Sequence, residues 1–384
     1  MKTDNKQDIQ KYCTMTVGHP RLSEAIEEVL AAINEAEQGE LIFLYGPTGV
    51  GKTTLGKRIK SKLNKEFRKE LGNSPSIIPV ILNEAPFPDG NRFSWIEYYR
   101  RALKQLNEPL IDKKKKDRRC SVYAHQHLID NETLDEFSIG RPPAGHTLRM
   151  SFENALKFRK TQVLLIDEAH HIAKGMDPKN LQGQLDYLKS LANLTETVIV
   201  LVGTYELLAF IDLSGQLTRR GNGVHLSRYY FDSPKDKQMF FNVLSSFVNK
   251  LPLQHDLDLP ALLEMFYIRS AGCVGILSSW LKKALKLAMR RGDQVLKLEH
   301  VEEKALSLNK LLKITEELEE GEALLKPVDN AELIIRARLG LVSGEVDAPK
   351  ARKEASKQKS RSGKRVGQRK PTRDPVGVPK AVSP

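Results

Sequence analysis

Apolar residues along the chain follow two spacings. Short, largely apolar runs stand at Leu41–Tyr45, Ile77–Leu82, Val163–Ile166 and Thr197–Val202, and Val224–Phe231 reads as a weaker last strand. Runs of this length suit strands buried on both faces. Between them lie segments whose apolar residues recur three and four apart. Val17–Glu37 carries Leu22, Ala25, Ile26, Val29, Leu30 and Ile33 and is closed by Gly39; a second helix runs from Leu55 onward; a third covers Trp95–Leu106 behind the Ser94–Glu97 capping box. In that third helix Trp95, Tyr98, Tyr99, Ala102 and Leu106 share a face, which reads as core rather than as a base-stacking surface. Pro79 puts the second strand at a sheet edge or ends it. Strands alternating with helices predict an α/β fold, a parallel sheet flanked by helices on both faces.

After Phe231 the strand-type runs stop. From the cap-like Ser233-Pro234 the pattern is wholly helical, through Met239–Leu251, Leu259–Ser270, Val274–Arg291 and Glu299 to about Leu325. This predicts a small all-helical lid. Beyond Gly344 the composition is Lys, Arg, Ser, Gly and Pro, which buries too little surface to offset chain entropy and is expected to be disordered when free. The predicted organisation is an N-terminal extension over 1–15, an α/β core over 16–232 with an inserted region at 83–150, a helical lid over 233–325 and a flexible tail over 326–384, basic from 345.

Composition sharpens this picture in one respect, charge. The 384 residues, 40% hydrophobic, suffice for one large core and a smaller satellite. Of the net +13, the stretch from Glu345 to Pro384 holds twelve Lys/Arg against four Asp/Glu, and Asp112 to Arg119 holds six against two. Those two segments, +8 and +4, are where a polyanion is expected to bind. The segment around His125, His127 and Arg141, up to Gly145, reads as an exposed loop. No stretch approaches eighteen uninterrupted apolar residues and Met1–Asp8 lacks a secretory apolar core, so a soluble, cytoplasmic protein with no membrane partner is expected. Cys13, Cys120 and Cys273 are too few and too scattered for a disulfide framework or a zinc site.

Two motifs carry chemistry. Gly46-Pro47-Thr48-Gly49-Val50-Gly51-Lys52-Thr53, followed by Thr54, is a complete phosphate-binding loop between a strand and a helix. Its bare amides and the following helix N-terminus suit phosphate oxygens, Lys52 suits the β- and γ-phosphates, and the Thr53 hydroxyl suits Mg²⁺, so ATP with Mg²⁺ is the expected cofactor. The strand Val163–Ile166 ends in Asp167-Glu168, a Walker B pair. Asp167 is placed for the Mg²⁺ shell and Glu168 for activating a water, which marks a hydrolase rather than a kinase. His170 and His171, next in sequence, read as neighbours of that pair without a metal.

In this order, phosphate loop, acidic pair, a strand ending in Thr204 and a helical lid resemble an AAA+ ATPase over about residues 16–312. Within that group the chain is most similar to the TnsC/TniB/MuB regulators of DNA transposition. The resemblance is carried by Gly46–Thr54, Asn83–Pro86 with Arg92–Arg101, Leu165–His171, Val202–Leu207 and Gln216–Arg220. It implies that Thr204 senses the γ-phosphate and that Arg219 or Arg220 is a finger offered to a neighbouring subunit. It also implies that His19 and Arg21 lie near the adenine, and that Arg92, Arg100, Arg101 and Lys104, with Lys113, Lys114, Lys115, Lys116, Arg118 and Arg119, face duplex DNA. The implied function is an ATP-dependent regulator that assembles on double-stranded DNA as a hexameric ring or helical filament. It would link a target selector of TniQ type to a transposase of TnsB/TniA type and leave the DNA on hydrolysis. A helicase loader of IstB or DnaC type, or a replication initiator, is the alternative. One departure stands out, since Gly272-Cys-Val-Gly275 occupies the place where many AAA+ proteins carry a second sensor arginine. This puts lid-driven remodelling in doubt, leaves Arg269 as a substitute and favours an assembly switch.

Overall fold

A computed structural model describes residues 4–71, 74–88, 93–109, 144–213, 223–326, 331–339 and 341. The chain divides into two units, 1–325 and 326–384. In the second, one helix is described, Ala331–Arg338.

The first unit begins with α1 (Asp4–Thr14) and α2 (Pro20–Glu35), followed by β1 (Leu41–Tyr45), α3 (Lys52–Leu71), β2 (Val80–Glu84), α4 (Trp95–Gln105) and α5 (Ala144–Phe158). Next come β3 (Val163–Asp167), the short α6 (His170–Ala173), α7 (Pro178–Thr195), β4 (Val198–Gly203), a 3₁₀ turn (Tyr205–Leu207), α8 (Leu208–Leu213) and β5 (Gly223–His225). The five strands are all parallel, in the order β2-β3-β4-β1-β5. Alternation along β1 shows why both faces need helices. Leu41, Phe43 and Tyr45 pack into a core with Tyr98, Tyr99, Phe152 and Leu188 of α4, α5 and α7. Ile42 and Leu44 point the other way, into a core with Val29, Leu55 and Ile59 of α2 and α3. β2 is an edge strand, and Pro79 stands immediately before it, where it interrupts no ladder bond.

The helical segment runs α9 (Pro234–Val248), β6 (Gln254–His255), α10 (Leu259–Ser270), α11 (Val274–Arg291), β7 (Val295–Leu296), α12 (Leu298–Glu303) and α13 (Leu308–Leu325). It has its own core around Phe240, Phe247, Phe266, Leu277 and Trp280. Three expectations need correction. The segment is not wholly helical, because β6 and β7 pair in parallel, Gln254 beside Val295 and His255 beside Leu296; two-residue strands leave no periodic signal. The helix expected over Glu299–Leu325 is two helices, the second entered through Ser307, whose carbonyl accepts from the Lys310 and Leu311 amides. The last sheet strand ends at His225 rather than Phe231. Within the N-terminal extension Asp4–Thr14 forms a helix, α1, in which Tyr12 is buried and its hydroxyl donates to the Phe247 carbonyl at 3.2 Å. No single described helix is long and apolar enough to cross a membrane.

Candidate functional site

Sheet order brings the chemistry together. β4 lies between β1 and β3, with Gly203 in register with Tyr45 and Leu201 with Ile166. The strand end carrying Thr204 is therefore flanked by the phosphate loop on one side and Asp167-Glu168 on the other. The loop conformation depends on glycine: Gly49 (φ 80°) and Gly51 (φ 118°) sit where side chains are strained. Lys52 opens α3 almost fully buried, its Nζ donating to the Gly46 and Pro47 carbonyls at 2.9 and 2.8 Å. Burial lowers its pKa to about 8, opposed by the charges of Glu168 and Asp167. Thr53 is exposed and Thr54 half-buried in the first turn of α3.

Asp167 is buried, and its Oδ1 accepts the Glu168 amide at 3.0 Å. Glu168 stands in the left-handed region (φ 52°) and is half-exposed. Burial and the Asp167 carboxylate raise its pKa, against the pull of Lys52 and His171. That direction suits a group that must accept a proton. The Thr204 Oγ1 is buried with no hydrogen-bond partner among the described residues. A glycine cradle closed to side chains by backbone conformation at Gly49 and Gly51 and by the Leu226 carbonyl at Gly46, a buried ammonium, two carboxylates and an orphaned hydroxyl are the donor set that a magnesium-bound nucleoside triphosphate requires.

The helical segment closes over the loop. The amide of Ile276, in the first turn of α11, donates to the Gly49 carbonyl at 3.2 Å, and a Cβ at Gly275 would stand 2.4 Å from that oxygen. No side chain caps α11, since Cys273 makes no such bond; a carbonyl of the phosphate loop takes that place. Buried beneath, the Cys273 thiol is pushed up to about 12. Arg269 donates instead to the Leu306 carbonyl at 2.9 Å.

A second tie joins the C-terminal turn of α13 to the turn after Thr204. A Cβ on Gly321 would stand 2.0 Å from Tyr205 Cδ2. Glu322 accepts from Arg228 Nε at 2.8 Å and Nη2 at 3.2 Å, and from the Tyr230 hydroxyl at 3.2 Å. The Tyr205 hydroxyl in turn lies 2.9 Å from His225 Nε2.

Of the other expected site residues, His19 and Arg21, at the start of α2, pack against the connection between β5 and α9. His19 is buried, with Nδ1 3.0 Å from the Tyr229 hydroxyl, and burial with the Arg58 and Arg21 charges lowers its pKa to about 4. Arg21 bonds Ser227, the Arg228 carbonyl and Asp236, and lines a cleft of about 330 Å³ with Glu28, His225, Tyr230 and Lys235. On α4, Arg101 is exposed and paired with Glu97, Arg100 is half-buried and Lys104 exposed. The aromatic face of α4 is core: Trp95 lies against Tyr187 with ring centres 4.7 Å apart. Arg92, Lys113, Lys114, Lys115, Lys116, Arg118, Arg119, Arg219 and Arg220 lie outside the described residues.

Segment-wise charge counting missed one feature. α3 carries eight Lys/Arg against two Glu, and α11 carries five against none. Acidic residues elsewhere cancel them in the total, so only a count per helix would have found them. The two helices meet the same segment, Arg58 donating to Thr16 Oγ1 at 3.0 Å and Lys282 to the Met15 carbonyl at 3.2 Å.

Comparison with known proteins bears on this geometry at one point. Residues 35–211, from the end of α2 through α8, match a family described as AAA domain. This segment is an AAA-type P-loop ATPase domain. It has the AAA+ fold, and the chain is an enzyme that hydrolyses ATP. A search of curated proteins gave no match. Similar solved structures include the ORC2 protein of Aeropyrum pernix, with 13% identity over 78% of this chain and 73% of that one at a TM-score of 0.48. The ORC1 protein of the same organism, in complex with DNA, has 18% identity over 74% and 63% at 0.47. Cdc6p of Pyrobaculum aerophilum has 12% identity over 74% and 67% at 0.48.

Proposed function

We propose that this AAA ATPase is a DNA-binding regulator of transposition that assembles on duplex target DNA when ATP is bound. It links a target selector of TniQ type to a transposase of TnsB/TniA type and leaves the DNA after hydrolysis. The observation that supports this most is the Gly203-Thr204-Tyr205-Glu206-Leu207 segment, the part of the resemblance specific to transposition regulators, which emerges between the phosphate loop and the Walker B pair. The backbone N–H groups of 48–54, Lys52, Thr53 and Asp167 would hold Mg²⁺–ATP, which would supply an electrophilic γ-phosphorus and a leaving group. The rest is the work of side chains. Glu168 takes the proton of the attacking water, Thr204 orients that water or a phosphate oxygen, and Arg219 or Arg220 of a neighbouring copy adds positive charge as the bond breaks.

Trans activation makes assembly and hydrolysis one event, so specific activity should rise with protein concentration. The DNA-facing charge is assigned to Arg100, Arg101 and Lys104 with Arg92 and the Lys113–Arg119 cluster, and α3 and α11 add rigid basic surface. The deciding experiment is electron microscopy of the protein with duplex DNA and ATP, alongside Glu168→Gln. Rings or filaments that persist longer with Glu168→Gln support the reading. Faster dissociation of that variant, or specific activity independent of concentration from monomer to oligomer, refutes it. Changing Lys113 to Lys116 to Ala should reduce the log–log salt slope of DNA binding by roughly 0.9 per lost contact.

A further inference from the structure

The end of β3 carries a donor set beyond the one ATP uses. One carboxylate oxygen of Glu168 and one ring nitrogen each from His170 and His171 lie within 4.8 Å of one another. Two observations set this cluster apart from three polar neighbours. First, His171 Nδ1 lies 3.0 Å from the Ala85 carbonyl. A carbonyl only accepts, so Nδ1 carries the proton and Nε2 keeps its lone pair. This is how metal-ligating histidines are held, one nitrogen donating to a backbone oxygen and the other free to ligate. Phe87, edge-on to the ring at 5.2 Å between centres, restrains it further. Second, His170 is only 8% exposed, and its buried Nδ1 has no hydrogen-bond partner among the described residues, although Glu168 Oε2 is 3.4 Å away. A buried polar nitrogen left in this way is costly, and a cation between it and the carboxylate would satisfy both.

We infer that Glu168, His170 and His171 form a binding site for a zinc-type transition-metal ion, distinct from the magnesium position at Thr53 and Asp167. Two imidazoles and one carboxylate, with water completing the shell, favour zinc, cobalt or nickel over magnesium, which prefers oxygen donors throughout. Resting on the proposed role of Glu168 as base, the consequence is inhibition: a carboxylate whose lone pair is given to a metal no longer accepts a proton from water. Sequence alone suggested no metal here because adjacent histidines carry no ligand spacing; the left-handed turn at Glu168 and the Ala85 carbonyl come from tertiary structure.

The test uses the full chain without nucleotide, in excess Mg²⁺, with Zn²⁺ competed against a chromophoric chelator and Co²⁺ as an absorbance probe. The wild type and Thr53→Ala should each bind one equivalent of Zn²⁺. His171→Asn keeps an amide donor for the Ala85 carbonyl but loses the ligating nitrogen, and it should bind at least tenfold more weakly, as should His170→Ala. Zn²⁺ binding that is unchanged in both histidine variants, or absent from the wild type, overturns the site. In parallel, the ratio of ATP hydrolysis with and without micromolar Zn²⁺ should fall at least tenfold in the wild type, recover with chelator and fall less in His171→Asn. Histidine-dependent binding with no loss of hydrolysis keeps the site and overturns instead the base role of Glu168.

Discussion

Replacing Gly275 by Ala sets two effects of opposite sign against each other. The new Cβ would lie 2.4 Å from the Gly49 carbonyl oxygen, about an ångström inside an ordinary contact, so loop and helix must separate. That separation breaks the 3.2 Å bond from Ile276 to Gly49, a loss of about 1 kcal/mol. Against it, Ala stabilises a helix over Gly by up to about 1 kcal/mol, less in a first turn. The sum for folding is close to zero, and a shift of only a few degrees in melting temperature is expected. Nucleotide affinity should not cancel in this way, because the Gly49 peptide that moves belongs to the phosphate cradle. Titration with a fluorescent nucleotide should show binding weakened about tenfold, equivalent to about 1.4 kcal/mol. Gly183→Ala is the control: this exposed helical glycine has nothing within 4 Å of its would-be Cβ, so it should gain up to about 1 kcal/mol of stability with nucleotide binding unchanged. If Gly275→Ala binds nucleotide within twofold of wild type, the α11 contact does not shape the loop and the argument fails.

Three further outcomes are expected. Thr204→Val removes a buried hydroxyl that has no partner among the described residues, so it should raise unfolding stability by about 1 kcal/mol in denaturant titration while lowering ATP hydrolysis; loss of stability would show that Oγ1 is satisfied in the free protein. Lys52, with its pKa lowered from 10.5 to about 8, releases its proton in the folded state while the unfolded chain still holds one. Stability should therefore rise with pH between those values, by up to about 3 kcal/mol, and equal slopes for wild type and Lys52→Met would refute this. Glu322→Ala strands the partly buried Arg228 and should cost about 2 kcal/mol by chemical denaturation, with a cost near zero meaning the pair is screened.

The phosphate loop and the acidic pair were legible because their chemistry dictates residue type and spacing: bare amides need glycine, and metal and water need carboxylates at a strand end. The sheet was legible for a related reason, since β1, β3 and β4 are so apolar that only strands covered on both faces suit them. What escaped the sequence depends on residues far apart meeting. Tyr12 reads as part of a polar extension until Phe247 is beside it. Gly275 reads as a missing arginine, whereas the structure shows a backbone approach that leaves no room for any side chain. β6 and β7 are too short to have a period.

The contacts of Gly321 and Glu322 also have a mechanical consequence. α13 ends at Leu325, four residues beyond Gly321. A pull on the C-terminal end of α13 would pass through Gly321 to Tyr205, one residue beyond Thr204, and through Glu322 to Arg228. The same helix end is thus a handle by which an external load could alter the timing of hydrolysis.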